Sequence, residues 1–309
     1  MVMRGLYFDT ATLYYRAFFA VPESIVAPDG SPSGAVRGFL DMVSTLHQQF
    51  PAEVVVFAWD DDWRPQWRVD LVPSYKTHRL VGVGDDGLSV EEVPDALSPQ
   101  VEAIAGILDA IGLPRIGQVG FEADDILGSL VDQYSMPADV VTGDRDLFQL
   151  VDDGAKVRVI SITKGVKKLE VFDDQALMDK YGIAGHHYAD FSLLRGDASD
   201  GLPGVKGIGE KTAAKLISEY GSVVALLAAA SDSSAAMAPA VRRNLLASTD
   251  YVHAASHVVR TRTDADLATP AQVPQSVHDG ETLQQLVDQW GVDRHVNRLL
   301  KVMHIEWVR

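Results

Sequence analysis

The chain has 309 residues, a formal net charge of −16, 47% hydrophobic residues and no cysteine. That length can bury a sizeable core, as one large domain or two closely joined ones, and the lack of cysteine excludes disulfides, zinc–thiolate sites and thiol nucleophiles together. At face value the acidity argues against a nucleic-acid partner, which selects for a basic surface, so the position of the acids decides the matter.

The opening MVMRGLYFDTATLYYRAFF is broken by Asp9, Arg16 and hydroxyl residues, and no later stretch reaches 18 uninterrupted apolar residues. A cytoplasmic protein with no membrane partner is expected. Residues 6–9 (LYFD) read as a short buried strand ended by Asp9, followed by a helical pattern over 34–49 and a second strand at 53–59 (EVVVFAW) running into Asp60. Residues 81–99, rich in Gly, Asp and Pro, read as a mobile loop between helices. Helical patterns over 98–111 and 122–134 precede strands at 138–144 and 156–162. From about 174 onward the pattern is helical, each segment closing near glycine, with a small-residue connection at 228–239 and no fixed-period repeat. Strands alternating with helices predict an α/β fold: a mainly parallel central sheet flanked by helices over 1–185, then a helical region over 186–309.

In a parallel sheet the strand ends carrying Asp9, Asp60 and Asp144 meet at one edge, where α/β ligand sites lie. A single strand-end aspartate is ordinarily a turn or helix cap; three converging point to a site. FEADDI adds Glu122, Asp124 and Asp125 at the positive end of a helix, with Glu122 and Asp125 on one face. Asp144 and Asp146, two apart in extended chain, point to one side. RGDASDGLPGVKGIGEKTAAKL contributes Asp197 and Asp200 immediately before a run of glycines and lysines. Carboxylates crowded without counter-charge raise one another's pKa and destabilise a fold. With oxygen donors only, no thiolate and no histidine pattern, the natural occupants are Mg²⁺ or Mn²⁺. The adjacent His186 and His187 point apart and read as surface or core. These nine acids account for nine of the sixteen net negative charges, so the overall charge stops arguing against nucleic acid.

The ordered series YFDT…LYYRAFFAVP, SPSGAVRGFL, VVVFAWDDDWRPQWR…SYKTHR, GFEADDILGSL, TGDRDLFQLV and GDASDGLPGVKGIGEKTA, from Asp9 to about Tyr220, resembles the bacterial 5′–3′ exonuclease / flap endonuclease family, including the N-terminal nuclease region of DNA polymerase I. The resemblance implies a PIN-like 5′-nuclease fold and a two-metal phosphodiester hydrolase, cutting 5′-flapped, nicked or gapped DNA near single-strand/duplex junctions in replication and repair. It implies a first metal site of Asp9, Asp60, Glu122 and Asp124 or Asp125, and a second of Asp146, Asp197 and Asp200, with Asp144 near both. Strand-end placement favours Asp60, while spacing back from SYKTHR also allows Asp61. Two ions about 3.5–4 Å apart activate water on one side and stabilise the leaving 3′ oxygen on the other.

The resemblance also implies that Lys76 and Arg79, three apart on a helical face beneath an arch spanning about 63–100, hold the scissile phosphate and join Asp125 and Asp144 as catalytic residues. Tyr75 is placed to stack on a base and Arg16 to face the site, while Phe18 and Phe19 read as core. The arch carries Gly82, Gly84, Asp85, Asp86, Glu91 and Glu92, a composition that predicts disorder without DNA. Residues 193–220 resemble a helix-hairpin-helix. Gly207 and Gly209 let backbone N–H groups near Thr212 approach phosphates, and Lys206, Lys211 and Lys215 add sequence-independent attraction; the family often holds K⁺ there. No polymerase region follows within these residues, so a monomer served by a separate polymerase or ligase in trans is expected. The rivals are a PIN-like metal-dependent ribonuclease, against which the hairpin argues, and a catalytically silent DNA-junction binder, against which the full acidic set argues.

Overall fold

In the computed structural model of the chain, residues 3–84 and 87–308 are described; the arch expectations for Asp85 and Asp86 lie outside them. Among these residues the elements run β1 (Gly5–Asp9), α1 (Thr10–Ala20), α2 (Gly34–Gln49), β2 (Val54–Ala58), α3 (Gln66–Leu71), β3 (Leu80–Val83), β4 (Ser89–Glu91), α4 (Ser98–Ile111), β5 (Arg115–Ile116), α5 (Ala123–Gln133), β6 (Ala138–Thr142), β7 (Val157–Ser161) and β8 (Glu170–Phe172). The helical part follows as α6 (Asp174–Tyr181), α7 (Tyr188–Arg195), α8 (Glu210–Tyr220), α9 (Val223–Ser231), α10 (Pro239–Ala247), α11 (Thr249–Val258), α12 (Gly280–Trp290) and α13 (Asp293–Met303).

The strands form one sheet in the order β5-β2-β1-β6-β7-β8. All neighbours are parallel except β7 and β8 at the edge. β1, β2 and β6 are buried along their whole length, which is why their sequences are continuous in apolar residues rather than alternating. Side chains alternate between two cores. Tyr7, Val56 and Val140 face α5 and the helical region, whereas Leu6, Phe8 and Phe57 face α2, α4 and the C-terminal helices. Phe8 stacks on Phe57 with ring centroids 5.0 Å apart.

The structure corrects two expectations. Residues 81–99 are not simply a loop: β3 and β4 pair antiparallel as a short ribbon. The helical region does not stay together through residue 309, because α12 packs on α4 and α13 on α2, returning the C-terminal part to the α/β layer. Between them an irregular stretch from about 260 runs along α5, tied by Arg262 N to Asp125, Ala265 N to Ser129 Oγ and the Tyr134 hydroxyl to the Leu267 carbonyl. Gly128 permits this approach, since a Cβ there would lie 2.8 Å from the Arg262 carbonyl oxygen. Among the described residues no single helix is long and apolar enough to cross a membrane.

Candidate active site

Because β1, β2 and β6 run parallel, their carboxyl ends share an edge, and a cavity of about 620 Å³ opens there. Asp9, Asp60, Glu122, Asp124 and Asp144 line it together with Arg16, Lys76 and Arg79. Asp9 is both cap and site residue: it accepts from Thr12 N at the start of α1 and from Thr142 Oγ1 across the sheet. Asp60 accepts from Ala123 N at 2.8 Å, which aligns it with the positive N-terminus of α5; Asp61 does not line the cavity. Asp144 N is held by Thr142 Oγ1, and Asp144 Oδ1 accepts from Asp146 N at 2.9 Å.

The second carboxylate group comes from the helical side. Asp146 accepts from Ser192 Oγ of α7 at 3.0 Å, and Asp197 is held by Arg195 and by Ser199 N. Asp200 is placed by its own backbone, whose carbonyl accepts from Lys76 N at 3.0 Å. Ser74 Oγ donates to the Gly201 carbonyl and Arg79 to the Ser199 carbonyl. Gly201 sits at φ 70°, and a Cβ there would lie 2.1 Å from the Ser74 carbonyl oxygen, so only glycine allows the two segments to meet.

Electrostatics separates two groups that share Asp144. Burial, then the charges of Asp144 and Asp9, push the Asp124 carboxyl well up. Burial raises Asp60 to about 7 against the lowering effect of the Ala123 N–H, with Glu122 and Asp9 adding repulsion. Asp146 is raised by burial and then by Asp144, Asp200 and Asp197. Asp144 is raised by desolvation and by both Asp9 and Asp197. Cations offset part of this charge: Lys76 Nζ sits 2.5 Å from Glu122, Arg68 3.2 Å from the same carboxylate, Arg195 3.1 Å from Asp197 and Arg79 3.8 Å from Asp200. Among the described residues no three carboxylates stand close enough to hold an ion as they lie. The donor set nevertheless fits hard divalent cations: oxygen ligands only, an excess of negative charge, and raised pKa values that a cation would reverse.

Several expected roles change. Asp125 does not face the cavity. It is 0% exposed, its oxygens take both guanidinium nitrogens of Arg68 at 2.7 and 2.8 Å, and it also accepts from the backbone of Glu122 and Arg262. This excludes it as a ligand or catalytic group in this arrangement and leaves Asp124 as the α5 aspartate in the site. Tyr75 is 3% exposed and donates its hydroxyl to both Glu122 oxygens; it cannot stack on a base and instead positions Glu122. Lys76 and Arg79 share no α-helical face: Lys76 adopts φ 47° before a single 3₁₀ turn, Thr77–Arg79, although both reach the cavity. Phe19, read as core, is 74% exposed at the cavity mouth, edge-on to Phe18.

Arg16 lines the cavity and donates to the Thr163 carbonyl at 3.0 Å. Lys206, Gly207, Gly209, Lys211 and Lys215 are exposed on the turn and first face of α8, with Thr212 half-buried, and the Lys206 carbonyl accepts from Asn244. Sequence reasoning missed Arg68, which also pairs with Glu122 at 3.2 Å, and the cavity-lining Tyr15, Trp63 and Glu91. Tyr15 and Arg68 lay inside the quoted stretches LYYRAFF and WRPQWR, but nothing local showed which way they point.

A mainly parallel sheet with an acid-lined cavity at its carboxyl edge and a helical module joined to that edge defines a nuclease of PIN-like 5′-nuclease fold. Residues 5–182 match the family model described as the 5′-3′ exonuclease N-terminal resolvase-like domain, and residues 183–279 match the 5′-3′ exonuclease C-terminal SAM fold. The chain belongs to the 5′–3′ exonuclease family. It is 48% identical to a 5′-3′ exonuclease of Streptomyces coelicolor, over 96% of this chain and 98% of that one, and 47% identical to one of Mycobacterium tuberculosis, over 96% of each. A Mycobacterium tuberculosis DNA polymerase I is 34% identical over 97% of this chain, which spans 30% of the polymerase. The fold is that of the phage T5 flap endonuclease in complex with DNA and metal ions, with TM-score 0.63 and 17% identity over 97% of this chain and 99% of that one. The catalytic core of Rad2 with DNA substrate superposes with TM-score 0.60 and 16% identity over 97% and 92%.

Proposed function

We propose that this chain is a divalent-metal-dependent 5′ nuclease that hydrolyses DNA phosphodiesters near single-strand/duplex junctions, as a 5′–3′ exonuclease and as an endonuclease on 5′ flaps, nicks and gaps. One observation carries the reading: Asp9, Asp60, Glu122, Asp124 and Asp144 line one cavity with Lys76 and Arg79, and those two residues are hydrogen-bonded to the segment that leads into the helical hairpin. Asp9, Asp60, Glu122 and Asp124 would hold one ion and Asp146, Asp197 and Asp200 the other, with Mg²⁺ or Mn²⁺ as the natural choices for all-oxygen donors. Such ions supply charge stabilisation and water activation in phosphodiester hydrolysis. Lys76 and Arg79 orient the scissile phosphate and offset its charge.

The hairpin at 203–213 would grip duplex backbone through glycine-exposed N–H groups, with Lys206, Lys211 and Lys215 adding salt-sensitive attraction. K⁺ would bind backbone carbonyls of that turn, where the Lys206 carbonyl is already engaged by Asn244. The enzyme works in the cytoplasm as a monomer, in replication and repair, with a separate polymerase or ligase acting in trans. The test is cleavage of labelled 5′-flap DNA with Mg²⁺ or Mn²⁺ by wild type, Asp124→Asn and Asp200→Asn. Loss in both variants is expected; equal activity in all three would sink the site assignment.

A further inference from the structure

A second basic surface lies beside the cavity, away from the helical hairpin. Beyond β7 the chain turns through residues 162–169, and Thr163 Oγ1 donates at 3.1 Å to the carbonyl of Gly143, the residue before Asp144. With the Thr163 carbonyl accepting from Arg16, the turn is pinned to the cavity wall. Gly165 at φ 89° starts a 3₁₀ turn, Val166–Lys168, closed by Lys168 N on the Gly165 carbonyl at 3.0 Å. Val166 and Leu169 pack against the core of Leu6 and Phe8, leaving Lys164, Lys167 and Lys168 exposed. Lys164 pairs with Glu170, which Lys180 also approaches, whereas Lys167 and Lys168 have no ion-pair partner among the described residues.

In a chain of net charge −16, two exposed lysines that no carboxylate neutralises among the described residues keep their charge available for a phosphate. The hairpin region packs on the opposite face of the sheet, through Val205, Ile208 and Ala213 against the core of Tyr7 and Val140. The acid cavity therefore opens between two basic surfaces. We propose that Lys167 and Lys168 bind backbone phosphates of DNA on the side of the cut remote from the hairpin, an inference that rests on the DNA-nuclease reading above. Those phosphates belong either to the single-stranded flap or to a second duplex across the junction.

The test is fluorescence anisotropy of DNA binding in EDTA as a function of salt, comparing wild type with the Lys167→Glu/Lys168→Glu and Lys167→Ala/Lys168→Ala doubles. Four DNAs are used: a duplex with neither extension, a duplex with a 5′ flap, a nicked two-duplex substrate, and the flap on two duplexes. We expect the alanine double to bind extended substrates about 10-fold more weakly, with a salt slope smaller by about 1–2, the glutamate double to lose more, and the plain duplex to be unaffected. Loss confined to flapped DNAs assigns the single strand; loss confined to two-duplex DNAs assigns the second duplex. Unchanged affinity throughout, or equal loss on all four, overturns the proposal. If wild type itself shows no preference for any junction over plain duplex, it is the nuclease reading that fails. Both lysines are exposed, so folding is checked simply by an unchanged melting temperature.

Discussion

Replacing Arg68 with methionine keeps much of the side-chain volume but removes the cation that bridges two buried carboxylates. Arg68 gives Asp125 two charge-assisted hydrogen bonds, pairs with Glu122 at 3.2 Å, and donates to the Val258 carbonyl at 3.2 Å. Asp125 and Glu122 are 0% and 2% exposed, so neither recovers solvent. Removing one partner of a buried pair costs about 3–5 kcal/mol. Glu122 keeps Lys76 and the Tyr75 hydroxyl, and Asp125 keeps two backbone N–H groups, which puts the expected loss at the lower end, about 3–4 kcal/mol. Against a total of roughly 5–15 kcal/mol this is a large fraction. Urea unfolding in EDTA, followed by circular dichroism, should show a lower midpoint with an unchanged slope. Arg68→Lys should recover only part, since an ammonium cannot form the bidentate fork. A loss below about 1 kcal/mol in Arg68→Met would refute the reasoning, because the buried carboxylates would then be stable without their counter-charge.

Asp124→Asn should weaken Mn²⁺ binding by more than about 10-fold in calorimetry, above the lower end of what losing an outer-shell partner costs, while leaving stability in EDTA unchanged or higher. Asp125→Asn should do the reverse, costing about 2–3 kcal/mol with cation binding altered far less. Tyr75→Phe removes a donor to a buried carboxylate and should cost about 1.5–3 kcal/mol in the same unfolding assay. Asp60, raised by burial to about 7, holds its proton in the fold long after the unfolded chain has lost it. Metal-free stability should therefore fall as pH rises from about 5 to 8, and Mg²⁺ should restore it; a flat melting temperature in EDTA over that range would contradict the site's electrostatics.

The strands and the acids at their ends were legible in the amino-acid sequence. LYFD and EVVVFAW are continuous in apolar residues because both sheet faces are covered, and parallel pairing then brings Asp9, Asp60 and the Asp144 turn to one edge. The glycine and lysine run after Asp200 likewise carried its turn in local chain geometry. Which neighbour among similar residues does what depended on contacts made far apart in the chain. Asp124 and Asp125 differ by one step around a helix, and what separates their roles is Arg68, 57 residues earlier in the chain. Tyr75 looks like an exposed stacking ring until Glu122 closes over its hydroxyl, and Phe19 looks like core until α1 turns it to the cavity mouth. α12 and α13 declare their helical period but not that α4 and α2 receive them. Periodicity and turn chemistry are properties of a few consecutive residues, whereas burial and charge pairing depend on partners that folding alone brings near.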